Sequence, residues 1–246
     1  MPFLDHLEEL RWRIIYILAT VLTTAVFGFV IVLRWDIVGE LAKPILPSLP
    51  NQKLIYTHPG DAFQITLNCA LSIAGVLAFP VILYQVWAFL APALYRSERK
   101  VVVGVLAGGI FLFAAGVALA FFVVLPLSLP WLQGFSGSAM EAMITASEYF
   151  GFVFALCLTF GLSFELPIVI LALAAFGIVS PQLLRKYRRH AVVLIVIAGA
   201  FLTPGDLVWT TVALAVPLYG LFELSVLLAA LVYRNRRAKE TALTTV

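Results

Sequence analysis

The stretch FGLSFELPIVILALAAFG, Phe160 to Gly177, is apolar apart from Ser163 and one carboxylic acid, Glu165, which stands near its centre. A run of this length and hydropathy belongs to a membrane-crossing helix. An ionisable group inside one is costly and points to a function or a partner. The surrounding chain supports that reading: its 246 residues are 63% hydrophobic and 12% charged, with a mean hydropathy of +1.05. Soluble domains are about half apolar and a quarter charged. The composition predicts an all-α polytopic membrane protein forming a single domain, 1–246, since no linker, low-complexity run or internal repeat divides it. Cys69 and Cys157 both lie in apolar stretches and read as small buried hydrophobes, not as a disulfide or a metal site. No cofactor, metal or nucleic-acid partner is expected.

Working outward from Glu165, the uncharged runs predict six helices at about 14–34, 64–92, 101–126, 148–178, 190–204 and 207–233. Pro126 and Pro130 are expected to terminate the third. The fifth is short, because Ala191 to Gly205 offers only 15 uncharged residues before Asp206, and a thinned membrane or a re-entrant hairpin would accommodate it. The opening MPFLDHLEELRWRII lacks the basic region of a secretory leader, so the chain is expected to be kept whole. With the amino end inside, 13 of the 16 basic residues fall on the inner side, leaving Arg34, Lys43 and Lys53 outside. That asymmetry predicts cytoplasmic termini at both ends. The loops Arg34 to Asp61 and Ser128 to Ser147 are then outer, and long enough to be ordered.

The amino-terminal segment is unusual for a surface helix. Phe3, Leu4, Leu7, Leu10 and Ile14 form an apolar stripe, while Asp5, Glu8 and Glu9 give the polar side a negative balance where Lys and Arg are expected. Internal pairing of Glu9 with Arg13 and Glu8 with Arg11 is one explanation. A cationic ligand is the other: a second inner acid, Glu98, stands in LAPALYRSERK, and carboxylates from two segments suit planar guanidinium groups better than ammonium groups. The predicted ligand is arginine-rich.

The segments HLEELRWR (His6 to Arg13), PVILYQVWAFLAPALYRSERK (Pro80 to Lys100), FGLSFELPI (Phe160 to Ile168), SPQLLRKYRR (Ser180 to Arg189) and LTPGD (Leu202 to Asp206) closely resemble the TatC family, in order and spacing over nearly the whole chain. TatC is the multispanning core of the twin-arginine translocation system. The resemblance implies six helices in a curved, glove-like wall in a prokaryotic cytoplasmic membrane, with a concave face holding the intramembrane acid. It implies recognition of the twin-arginine signal peptides of folded cargo proteins, and operation in an oligomeric complex with the single-span partners TatA and TatB. Carried over residue by residue, the signal-peptide site falls at Glu9, Arg11, Phe89 and Glu98, with Pro44 a sensitive position in the first outer loop and Asp206 a further polar candidate. Where several relatives carry an amide near the start of the sixth helix this chain has Thr210, which puts a partner contact there in doubt.

Glu165 supports two functions of different class. In a translocase it would keep a polar, water-admitting surface that thins the bilayer. In a proton-coupled small-molecule transporter it would carry the proton, with Glu223 the other available member of a relay. A protonated acid hydrogen-bonded within the bundle is a third reading. No catalytic residues are expected: His6, His58 and His190 fall in loops or at helix ends, away from any nucleophile. Trp12, Trp35, Trp87 and Trp209 read as interfacial anchors, and Gly108, Gly109 and Gly116 as points of close helix packing.

Overall fold

A computed structural model of the chain describes residues 3–49, 53–90, 99–134, 143–175, 177–202 and 209–244. The apolar runs fold as helices because hydrocarbon offers no partner for a free backbone N–H or C=O. The principal elements are α1 (Phe3–Arg34), α3 (Asp61–Leu90), α4 (Arg99–Leu119), α5 (Leu125–Gln133), α6 (Ala146–Ser163), α7 (Leu166–Ala175), α9 (Arg188–Leu202) and α10 (Trp209–Thr244). Two short helices, α2 (Ile37–Ala42) and α8 (Pro181–Lys186), lie in connections. Among the described residues, five stretches are long and apolar enough to cross a membrane: Leu7–Arg34, Asp61–Phe89, Gly104–Trp131, Ala146–Ala174 and Thr210–Ala230. Helix α9, with 15 residues, reaches only about 22 Å, in line with its short apolar run. Among the described residues there is no strand beyond an isolated bridge between Ile55 and Thr145.

Many large apolar side chains point outward, such as Leu22, Val26, Phe111 and Phe122, all at least two-thirds exposed. A water-soluble protein would bury them, and here lipid is their solvent.

The chain contacts group into two compact units. The first comprises Met1–Pro92 and Ala118–Leu158. Its core includes the seam of α1 with α3, where Val32 packs with Cys69 and Ala70; further along α3, Ala74, Ala78, Leu83 and Trp87 are also buried. At the crossing, a Cβ on Gly28 would stand 2.4 Å from the carbonyl oxygen of Ala70, so only glycine lets the two backbones come this close. Described residues of the connection after α1 pack on the rest of the unit: Ile45 is fully buried, the Tyr149 hydroxyl donates to the Leu41 carbonyl at 2.8 Å, and the Ala146 N–H donates to the Ile55 carbonyl at 2.6 Å.

The second unit comprises Ala93–Val117 and Thr159–Val246. Here α10 packs on α7 and α9 through Leu214, Leu218, Phe222, Val226 and Ala229, all buried. Gly116 faces the Phe160 carbonyl and the Phe164 ring, and Gly161 faces Phe113. The Cβ position of Gly108, by contrast, meets nothing within 4 Å, so of the glycines expected to pack closely, Gly116 does and Gly108 does not.

Three prolines behave differently from expectation or from one another. Pro126 and Pro130 do not end their helix. A π-helical turn, Ala120–Val124, leads directly into α5, which carries both. The wider turn makes room for a proline ring, and the Ser128 hydroxyl donates to the Val124 carbonyl at 2.5 Å. Pro167 does break its span: Phe164 and Glu165 form a turn between α6 and α7, because proline supplies no N–H for the carbonyl one turn back. Trp87, expected at a lipid interface, is instead only 4% exposed, since its face of α3 is the one that packs inward.

Replacing Gly28 with valine should push α1 off α3. Thermal unfolding of the purified protein in detergent should report a loss of about 1–3 kcal/mol, and an unchanged midpoint would contradict the packing described.

Candidate functional site

The residues near the start of α1 project according to the 100° step of a helix. Glu9 and Arg13, four apart, share the face turned toward α3, while Glu8 and Arg11 are exposed. Arg13 donates from Nε to Glu9 Oε1 at 3.1 Å, and from Nη2 to the same oxygen. Its Nη1 donates to Gln85 Oε1 at 3.1 Å, and Nη2 also reaches the carbonyl of Ala88 at 2.9 Å. One guanidinium therefore joins an acid on α1 to a side chain and a backbone oxygen in the last turns of α3. The two charged side chains are 19% and 29% exposed, which shields the pair from solvent while leaving it reachable.

Of the expected signal-peptide residues, the structure brings Glu9 to the end of α3 that carries Phe89, the half-buried neighbour of Ala88. Arg11 is exposed on α1, away from that junction. Pro44 is half-buried between α2 and a 3₁₀ turn, Leu46–Ser48. Glu98 and Asp206 lie outside the described residues. Gln85 and the Ala88 carbonyl escaped sequence reasoning; the sole clue was the polar Gln85 inside an apolar run. Arg13 was visible as a local partner of Glu9, but not as a bridge between segments.

Glu165 is 8% exposed, and neither carboxylate oxygen has a hydrogen-bond partner among the described residues. Among the described residues, then, the hydrogen bond that the third reading calls for is not formed. Its backbone is satisfied: the Glu165 N–H donates to the Leu162 carbonyl at 3.1 Å, and its own carbonyl accepts from Ile168 and Val169. The side chain alone lacks compensation, beside the buried ring of Pro167.

Glu223, the other acid available to a proton relay, is engaged. It accepts from Arg188 Nη2 at 2.7 Å and from the Tyr219 hydroxyl at 3.2 Å. Arg188 opens α9 and Glu223 lies well inside α10, so the pair ties the α9–α10 hairpin at the end opposite its turn. Thr210 is fully buried in its own chain, with Thr211 beside it packing on Gly199.

Long apolar helices with lipid-facing side chains define a polytopic α-helical membrane protein, here with a polar clamp at a helix junction and a buried acid. The model of the family described as Sec-independent protein translocase protein (TatC) matches residues 5–217, and the chain belongs to this family. It is 36% identical to the TatC of Aquifex aeolicus over 245 residues, 98% of this chain and 100% of that one. It is 36% identical to the TatC of Escherichia coli K12 over 240 residues, 97% and 92% of the two. The crystal structure of a twin-arginine translocase receptor TatC superposes with a TM-score of 0.77 at 36% identity, covering 92% of this chain and 98% of that one. The family is one of protein translocases and not of enzymes, and nothing in these likenesses supports a small-molecule transporter.

A buried carboxyl group without a partner destabilises the fold. Glu165→Leu should therefore raise the stability of the detergent-solubilised protein by about 1–3 kcal/mol; a thermal midpoint that falls would mean that the acid has a partner after all.

Proposed function

We propose that this chain is the core subunit of a twin-arginine translocase in a prokaryotic cytoplasmic membrane, receiving the signal peptides of folded cargo proteins at the junction of α1 and α3. The observation that carries the reading is the placement of Glu9, an acid held beside the α3 segment that leads to Phe89 and then to Glu98. The distribution of basic residues supports cytoplasmic placement of both termini, which puts this junction on the side where cargo is made. Glu9 and Glu98 would each receive a guanidinium group of the paired arginines, Phe89 would shape the apolar wall beside them, and Arg11, exposed on the outer face of α1, would tune the local charge.

The name of the superposed relative, a twin-arginine translocase receptor, supports the same assignment. TatA and TatB are the partners in the working complex, which is oligomeric and embedded among membrane lipids. Thr210 is buried, so a contact with either partner near the start of α10 would use neighbouring exposed groups such as Val212. Pro44 is proposed as a sensitive position in the first outer loop, and Asp206 as a further intramembrane polar group.

Glu165 acts after binding. An uncompensated carboxyl group in the middle of a span lowers the cost of admitting water or a polar group of another helix, and the short α9 in the same unit favours a locally thin bilayer.

A photo-crosslinkable peptide carrying paired arginines tests the receptor role. Glu98→Ala and Glu9→Gln should each weaken its binding by about 10–100-fold, the loss of one charge-assisted interaction. Unchanged crosslinking in both variants would overturn the assignment. Glu165→Leu should insert normally and bind the peptide at wild-type affinity, yet export little cargo from cells; export at the wild-type rate would remove Glu165 from the mechanism.

A further inference from the structure

We propose that the break between α8 and α9 is a binding site for the phosphate headgroup of an anionic phospholipid, whose hydrocarbon chain lies along α9.

Ser180 caps α8, its Oγ accepting from the Leu183 N–H at 3.2 Å. The helix stops at Lys186, and Tyr187 leaves the helical conformation before α9 begins at Arg188. This break gathers Arg185, Lys186, Arg188 and Arg189 in one short stretch, all of them exposed. The cations are not equivalent. Arg188 turns to α10, where Glu223 neutralises it. Among the described residues Arg185, Lys186 and Arg189 have no carboxylate partner. Of the acids in this unit whose side chains are described, Glu165 is buried in its own span, and Glu223 is already shared between Arg188 and Tyr219. Arg185, Lys186 and Arg189 are therefore left for an external anion.

The neighbouring surface determines which anion fits. One and two turns along α9 from Arg189 stand Val193, Val196 and Ile197, a single helical stripe, and all three are exposed. A cation thus heads an apolar stripe on a helix, and arginine can lay its own apolar stem on such a surface while holding its charge at the edge. Tyr187 lies at the same level: Lys186 Nζ stands 5.8 Å from its ring centre, and the His190 ring meets it edge-on at 5.3 Å. An exposed tyrosine of this kind is at home between hydrocarbon and water. A molecule with a negative head and a hydrocarbon tail matches both the charges and the stripe, whereas a soluble anion or an acidic protein matches only the charges. The guanidinium forks of Arg185 and Arg189 suit phosphate oxygens, and basic clusters beside membrane-crossing helices attract anionic headgroups. A headgroup held there keeps the start of α9, a helix too short to set its own depth, at the membrane surface.

The test titrates the full-length protein in detergent with phosphatidylglycerol and with phosphatidylcholine of the same acyl chains, and counts bound lipid by native mass spectrometry. Wild type should bind phosphatidylglycerol about tenfold more tightly, with a margin that shrinks as salt is raised. The triple variant Arg185→Gln, Lys186→Gln, Arg189→Gln should bind the two lipids almost equally. Arg189→Gln alone should reduce the preference about fivefold, one cation's share beside an anionic headgroup, and Arg185→Lys with Arg189→Lys should keep most of it. Arg34→Gln, Lys43→Gln and Lys53→Gln together remove as much exposed positive charge elsewhere and should leave the preference intact. A preference retained in both glutamine variants of the α8–α9 break overturns the proposal. So does an equal loss in the Arg34, Lys43 and Lys53 variant, which marks general attraction to a cationic protein, or glycerol phosphate binding as tightly as the lipid, which marks a site for a soluble anion. A wild-type protein that does not distinguish the two lipids overturns it as well.

Discussion

Inside hydrocarbon a peptide group has nothing to bond to except another peptide group or a polar side chain, and the architecture of this chain follows from that constraint. Each apolar run is helical, and each proline poses the same problem of a carbonyl that has lost its donor. The chain resolves it in more than one way. Pro80 and Pro217 stand inside unbroken helices. Before Pro126 the helix widens to a π turn, and the helix runs on through Pro126 and Pro130. At Pro167 the span divides into α6 and α7, and the residue at the division is Glu165.

The same constraint explains where charge is tolerated. The Arg13 and Arg188 clusters lie near the ends of their spans and engage acids. Each joins two segments distant in sequence, so each ties a pair of helices together as well as neutralising charge. Glu165 is the contrast, with two buried oxygens and no partner among the described residues. Such a group is costly within an otherwise well-satisfied helix pair, and its polarity is what we propose the translocase puts to use. The divided span keeps it from being a burden on backbone bonding, since its own N–H and carbonyl are both used.

The junction of α1 and α3 gains its precision from rigid neighbours. The close approach at Gly28 brings the helix backbones together, and Val32, Cys69 and Ala70 fill the seam beside it. An acid mounted on such a support is more firmly placed than one in a mobile loop would be.

Much of this could be read without coordinates, because hydropathy and charge asymmetry act locally along the chain. The uncharged runs determined which stretches are helical spans and that the fifth is too short, and HLEELRWR already paired Glu9 with Arg13 one turn apart. Tertiary structure alone decided what lies 72 and 75 residues further on, namely that Arg13 also grips Gln85 and the Ala88 carbonyl. No periodicity encodes such a meeting, since it depends on how α1 and α3 pack. It was also packing that buried Trp87, carried the helix past Pro126 on a π turn, and left Glu165 enclosed with no partner among the described residues. A sequence shows what a residue is able to bond; only the arrangement of the helices around it determines what it meets.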